Sequence, residues 1–180
     1  MTLRPIVTLP DPVLRRKARP VTAFDKKLQT LIDDMLETMR DAPGVGLAAP
    51  QVGLAQRVIV VEYFERELDA EAENEEAEEE PQRKVWAMLN PEIVKTSAEK
   101  VMGVEGCLSI PGLVGEVERH VAIQVKGLNR RGQPMRVKAQ GWLARIFQHE
   151  IDHLNGVLFT DIATSVWQPE ENETDPENEV

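Results

Sequence analysis

A chain of 180 residues with 42% hydrophobic and 29% charged residues suits one globular domain large enough to bury its own core. Its net charge of −10 is concentrated: eleven acids and one base lie between Glu62 and Glu80, six more acids follow Pro169, and setting these aside leaves 14 acids against 20 bases. No stretch approaches the roughly 18 apolar residues of a membrane span, and the single cysteine, Cys107, excludes an internal disulfide and every multi-cysteine zinc pattern.

Pro5, Pro10, Pro12 and Pro20 make residues 1–20 extended and irregular. Pro5 and Pro10 also stand where a signal peptide needs an apolar run, so a cytoplasmic protein is expected. Leu14 is the expected anchor of this arm, and Arg15, Arg16, Lys17 and Arg19 read as a solvated face. The clearest helix comes next. Thr22 suits its N-cap, with Asp25 three residues on. Leu28, Leu31, Ile32, Met35, Leu36 and Met39 then form one apolar stripe, and Pro43-Gly44 ends the helix.

The segment GVGLAAPQ, Gly44 to Gln51, fits the G-x-G-x-x-A form of a dinucleotide fingerprint. That fingerprint needs a strand before it and a helix opening on it. Here a helix precedes, and Pro50 disfavours helical geometry at Ala49. The segment reads instead as a loop whose glycines let backbone approach a ligand, with Gln51 supplying an amide, or, on spacing alone, equally as an ordinary turn. Val58 to Val61 is a β-branched run, hence a buried strand. After the acidic excursion Val85 to Leu89 resumes a strand, so the two read as one sheet with a loop inserted between them.

Asn90-Pro91 is expected to turn the chain before a short strand from Ile93 to Val101. A glycine-flanked turn holds Cys107. Val117 to Val125 reads as one strand, with His120 on the surface, and Leu128 to Gln133 as a hairpin turn with Gly132 at its tip. A helix follows Gly141. It is apolar nearly all round through Trp142, Leu143, Ile146, Phe147, Ile151 and Leu154, and so belongs in the middle of a fold. Val157 to Phe159 is expected to add a last strand. The expected class is α+β: mostly antiparallel sheets packed around this central helix, plus the N-terminal amphipathic helix. Residues 1–162 would form one catalytic domain with an acidic inserted loop at about 64–82, followed by an acidic tail at 163–180 that is solvated and disordered.

The central helix carries QHEIDH, Gln148 to His153. His149 and His153 are four apart and project from one face, so they can grip one metal ion. Glu150 is placed to take a proton from a water polarised by that ion. Two histidines leave a catalytic site one ligand short. A downstream acid such as Glu173 would make a zinc protease. Upstream, Cys107 offers a thiolate, and two imidazoles with a thiolate suit divalent iron or zinc.

GVGLAAPQ, EGCLS (Glu105 to Ser109) and QHEIDH, in that order, resemble the three signature motifs of bacterial peptide deformylases, and the resemblance covers about residues 5 to 162. It implies that Cys107, His149 and His153 hold the metal, Fe²⁺ in the cell with Zn²⁺, Ni²⁺ or Co²⁺ able to substitute. Glu150 would be general base and then acid, while Gln51 and the backbone N–H of Leu108 would stabilise the oxyanion. Gly44, Val45, Gly46, Glu105, Gly106, Trp142, Arg145 and Ile146 would hold or border the substrate. That substrate would be the N-formylmethionyl end of nascent chains, with room for transient ribosome contact and with no membrane or specific DNA partner. Val114 stands where many members carry arginine, and the acidic tail replaces the basic C-terminal helix of some.

Overall fold

The computed structural model describes residues 2–65 and 82–169; residues 66–81 and 170–180, the bulk of the two acidic segments, lie outside the described residues. In chain order the elements are α1 (Lys26–Asp41), β1 (Gly46–Ala48), β2 (Val58–Glu65), β3 (Gln82–Thr96), β4 (Lys100–Gly106), β5 (Val114–His120), β6 (Ala122–Leu128), β7 (Pro134–Gln140), α2 (Gly141–Leu154), the single-turn α3 (Phe159–Ile162) and β8 (Ser165–Trp167). One sheet has the order β1-β2-β3-β6-β7 and the other β4-β5-β8. Every strand pairing in both is antiparallel. The class is α+β.

The apolar run of β2 is continuous because both of its faces are covered. Ile59 and Val61 join a cluster with Phe147, Ile146 and Ala144 of α2. Val58 and Val60 join a second cluster with Leu28, Leu31, Ile32, Met35 and Met39 of α1. The five-stranded sheet is thus sandwiched at this point between the two helices. A third, smaller cluster holds Cys107, Ile110, Val117, Leu158 and Phe159. Helix α2 packs against strands of both sheets, and from Leu143 to Ile151 every one of its residues is buried.

Several local expectations are corrected. Asp25, not Thr22, caps α1, its carboxylate accepting the Leu28 N–H at 3.0 Å. Asn90-Pro91 does not turn the chain, because β3 continues through it with register shifts between Leu89 and Glu92 and between Ile93 and Lys95. Asn90 takes φ of 50° there, and its amide clasps the N–H and C=O of Val21 at 2.7 and 2.9 Å. The strand expected at Val117–Val125 is two strands in different sheets, split at Val121. The Gln148 side chain holds the corner by accepting from His120 N at 3.1 Å and donating to His120 O at 2.9 Å. His120 is half-buried rather than a surface residue, with Nδ1 2.7 Å from Ser97 O.

Val157 to Phe159 does not form a strand. Asp161 accepts the Leu158 N–H at 2.8 Å and opens α3 instead. Past the boundary set at 162, β8 pairs with β5, placing Val114 opposite Trp167 and Glu116 opposite Ser165. It covers what would otherwise be an open sheet edge. Gly115 admits the packing, since a Cβ there would lie 2.9 Å from Phe159 and 3.0 Å from Ser165 O.

Candidate metal centre and active site

The i, i+4 spacing of α2 puts His149 and His153 on one face, and the turn after β4 brings Cys107 up against them. That turn is closed by Ile110 N donating to Cys107 O at 2.9 Å. Cys107 Sγ lies 3.3 Å from His153 Nε2, which lies 3.2 Å from His149 Nε2. The three ligand atoms all fall within 4.8 Å of one another, and the residues are 6%, 1% and 2% exposed in that order. His149 Nδ1 faces the Glu105 carboxylate at 2.9 Å, so it carries a proton, and Nε2 is the atom turned toward the cluster.

The electrostatics of this point favour a cation. Burial works against charge on His149, yet its bonds to Cys107 and Glu105 push it up to about 10. Burial and the neighbouring charges of His149 and Arg119 push His153 well below its usual value, which leaves a neutral lone pair. A soft thiolate and two imidazole nitrogens converging in a buried space fit a divalent transition metal.

Glu150 sits beside this point with no exposure, and neither of its oxygens has a hydrogen-bond partner. Burial, with a contribution from the Glu105 charge and against the pull of His149, pushes its carboxyl up to about 7. The glycine at position 46 makes room for it, because a Cβ there would lie 2.4 Å from Glu150 Oε1. Gln51 is held the right way round: its Oε1 accepts the Ala48 N–H at 2.8 Å, which turns its NH₂ toward Cys107 Sγ at 3.6 Å. Gly44 faces Leu108, whose Cδ1 would be 2.9 Å from an added Cβ. The backbone of Val45 is fixed by Glu62 N donating to Val45 O at 2.9 Å.

The structure therefore brings Cys107, His149, His153, Glu150, Gln51 and Gly46 together, with Gly44 touching Leu108. Val45 and Trp142 are half-buried against the core around α2, and Ile146 and Gly106 are buried. Glu105 and Arg145, expected to border the substrate, are both buried and bonded to each other. Glu105 has no exposure, and its two oxygens are taken by Arg119, Arg145 and His149. Burial pushes its carboxyl up, but the bonds and charges of His149 and Arg119 outweigh this and hold it well below the usual carboxylate range. Arg119 also binds Asp152 at 2.6 Å.

Sequence reasoning missed Arg119 and Asp152. The available signal was parity: Gly115, Val117 and Arg119 share the inward face of β5.

The sequence pattern of the polypeptide deformylase family matches residues 3–168. A peptide deformylase of Halothermothrix orenii is 52% identical over 151 residues, covering 84% of this chain and 87% of that protein. One of Symbiobacterium thermophilum is 47% identical over 182 residues, covering 100% of this chain and 76% of that one. The solved peptide deformylase of Thermotoga maritima superposes with a TM-score of 0.77 at 41% identity, covering 92% of this chain and 100% of that one. The Ehrlichia chaffeensis structure in complex with actinonin gives a TM-score of 0.80 at 40% identity, covering 92% and 91%.

Proposed function

The chain belongs to the polypeptide deformylase family, and from that premise we propose how its own residues carry out the reaction. The protein is a peptide deformylase: it removes the formyl group from the N-terminal formylmethionine of nascent polypeptides and releases formate. Cys107 Sγ and the Nε2 atoms of His149 and His153 would hold one divalent ion, Fe²⁺ in the cell, with Zn²⁺, Ni²⁺ or Co²⁺ as substitutes. Such an ion acts as a Lewis acid that brings the pKa of a water toward neutrality.

Glu150 takes the proton from the attacking water. As the water oxygen adds to the formyl carbon, charge gathers on the formyl oxygen. The Gln51 NH₂ and the Leu108 N–H donate to it, and a donor of this kind is worth about 10²–10³ in rate. Glu150 then passes its proton to the departing nitrogen, the C–N bond breaks, and formate and a free amine result. Gly44 and Gly46 leave backbone open for the substrate chain to lie alongside as an added strand. Val45, Gly106, Trp142 and Ile146 border the methionine side chain.

We place the HExxH-bearing helix at the centre of one catalytic domain, with α1 as scaffold, and assign the protein to the cytoplasm, where nascent chains and transient contact with the ribosome are available. Among the described residues no helix is long and apolar enough to cross a membrane.

The observation that carries the mechanism is the convergence of Sγ and two Nε2 atoms beside a buried, unpartnered Glu150. The test is formate release from a formyl-methionyl peptide with and without a chelator. The metal-loaded protein is expected to turn over and the chelated protein to stop. A fully loaded protein that releases no formate sinks the mechanism. A metalloprotease with a downstream acid ligand is the rival, but the cluster already has its third donor in Cys107.

A further inference from the structure

We propose that Arg145 is a positioning residue for His149, acting through Glu105, and that Gly103 is the clearance this arrangement requires. The inference rests on the assignment of Cys107, His149 and His153 as a metal centre.

Arg145 lies one helical turn before His149, on the same face of α2, and is 4% exposed. Its guanidinium is pinned to the backbone of two strands. Nη1 donates to Val117 O of β5 and Nη2 to Val101 O of β4, both at 2.9 Å. From that anchored position Nη1 also donates to Glu105 Oε1 at 2.9 Å. Trp142 covers the cation, its ring centroid 5.9 Å from Cζ.

Glu105 is the link. Its Oε1 receives Arg145 and the Nε of Arg119 at 2.8 Å, and its Oε2 receives Arg119 Nη2 at 3.0 Å and His149 Nδ1 at 2.9 Å. A carboxylate is planar, so holding Oε1 sets the direction in which Oε2 meets the imidazole. Arg119 forks onto both oxygens but spends its remaining nitrogen on Asp152, so it ties Glu105 to a second carboxylate rather than to the sheet. Without Arg145, one guanidinium would serve both carboxylates. With it, the carboxylate is fastened to the sheet backbone, and the ring it orients presents Nε2 to the ion. Partners of this kind behind a ligand typically change metal affinity 10–100-fold.

Position 103 carries the matching constraint. A Cβ there would lie 2.6 Å from Arg145 Cζ and 2.7 Å from Nη2. Any side chain would displace the guanidinium while leaving every charge of the cluster in place.

The experiment is release of Co²⁺ from the loaded full-length protein into excess chelator, followed by the visible spectrum, with the melting temperature of each variant measured alongside. Arg145→Met is expected to release the ion about 10–100-fold faster, Gly103→Ala to shift in the same direction, and Arg145→Lys to fall between Met and wild type. Leu31→Ala, in the core of α1, serves as the stability control and is expected to melt earlier yet release at the wild-type rate. Wild-type release rates in both Arg145→Met and Gly103→Ala overturn the proposal, as does an equal acceleration in Leu31→Ala. If Arg145→Met does not fold, Gly103→Ala decides. A wild-type protein that takes up no ion overturns the metal-centre assignment itself, a result distinct from uptake with an unchanged release rate.

Discussion

At the scale of single residues, Glu150 is suited by burial to the proton-carrying role proposed for it. It has no exposure and no hydrogen-bond partner among the described residues, and its carboxyl is pushed up to about 7, so it can both take and return a proton near neutral pH. Glu150→Gln is therefore expected to keep its metal by elemental analysis while losing about 10²–10⁴-fold in kcat; near-normal turnover would remove the residue from the mechanism. Gly46→Ala tests the same group from the other side. Its methyl would press on a carboxylate 2.4 Å away. Activity on a formyl-methionyl peptide is expected to fall toward that of Glu150→Gln, and unchanged kcat would show that the contact does not hold the carboxylate.

Much at this scale was legible. Two histidines four apart and one cysteine leave few ways to build a three-donor cluster. The Glu105–Arg119–Arg145–Asp152 network was not legible, because its bonds span from 14 to 40 positions and leave no local spacing.

At the scale of elements, the apolar runs and alternations disclosed antiparallel sheets, while the joints between strands were misread. Asn90-Pro91 has the composition of a turn, but Val21 binds the Asn90 amide and β3 runs on. Val117 to Val125 alternates as one strand, yet Gln148 of α2 clasps its middle and sends the halves to different sheets. In each case a partner far away in sequence decides between two conformations that the local residues both allow.

Glu62 is another such joint. It is 7% exposed and ties α1 to the sheet through Arg40 at 2.7 Å and Arg83 at 2.6 Å. Its backbone N–H meanwhile holds Val45. Burial raises its carboxyl, but the bonds and charges of Arg40 and Arg83 outweigh this and leave it below the usual value. A depressed folded-state pKa stabilises the fold above the unfolded value of about 4.5 and loses that contribution as pH falls through the folded value. Glu62→Gln is expected to lower stability by about 1–3 kcal/mol at neutral pH and to narrow its difference from wild type below about pH 4.5. Urea unfolding across pH reads this directly, and a difference that grows in acid would reverse the assignment.

At the scale of the whole molecule, the acidic balance belongs to two segments rather than to the body, which without them has more bases than acids. Among the described residues, those brought together at the site lie between Gly44 and His153, and the proposed chemistry calls on none of the terminal acids. A chain ending at Gln168 keeps β8 and removes every terminal acid from Glu170 on. It is expected to retain its metal content and its kcat/KM, and loss of either would give a downstream acid a place in the centre after all.

A chain ending at Ile162 is a different experiment, because it strips β8 from β5 and bares the backbone of Val114 to Glu116. Ala163 packs on the third cluster, and Val166 and Trp167 are only 41% and 36% exposed, so some apolar burial is lost. The cover over a sheet edge is lost with it. A destabilisation of about 1 kcal/mol, some 2–4 °C in Tm for a chain of this size, is expected, together with a greater tendency to aggregate and a kcat/KM close to that of the longer truncation. Comparing the two truncations by melting and by formate release separates the strand's structural duty from any chemistry assigned to the tail. If the shorter chain loses its metal while the longer one keeps it, β8 supports the centre as well as the edge.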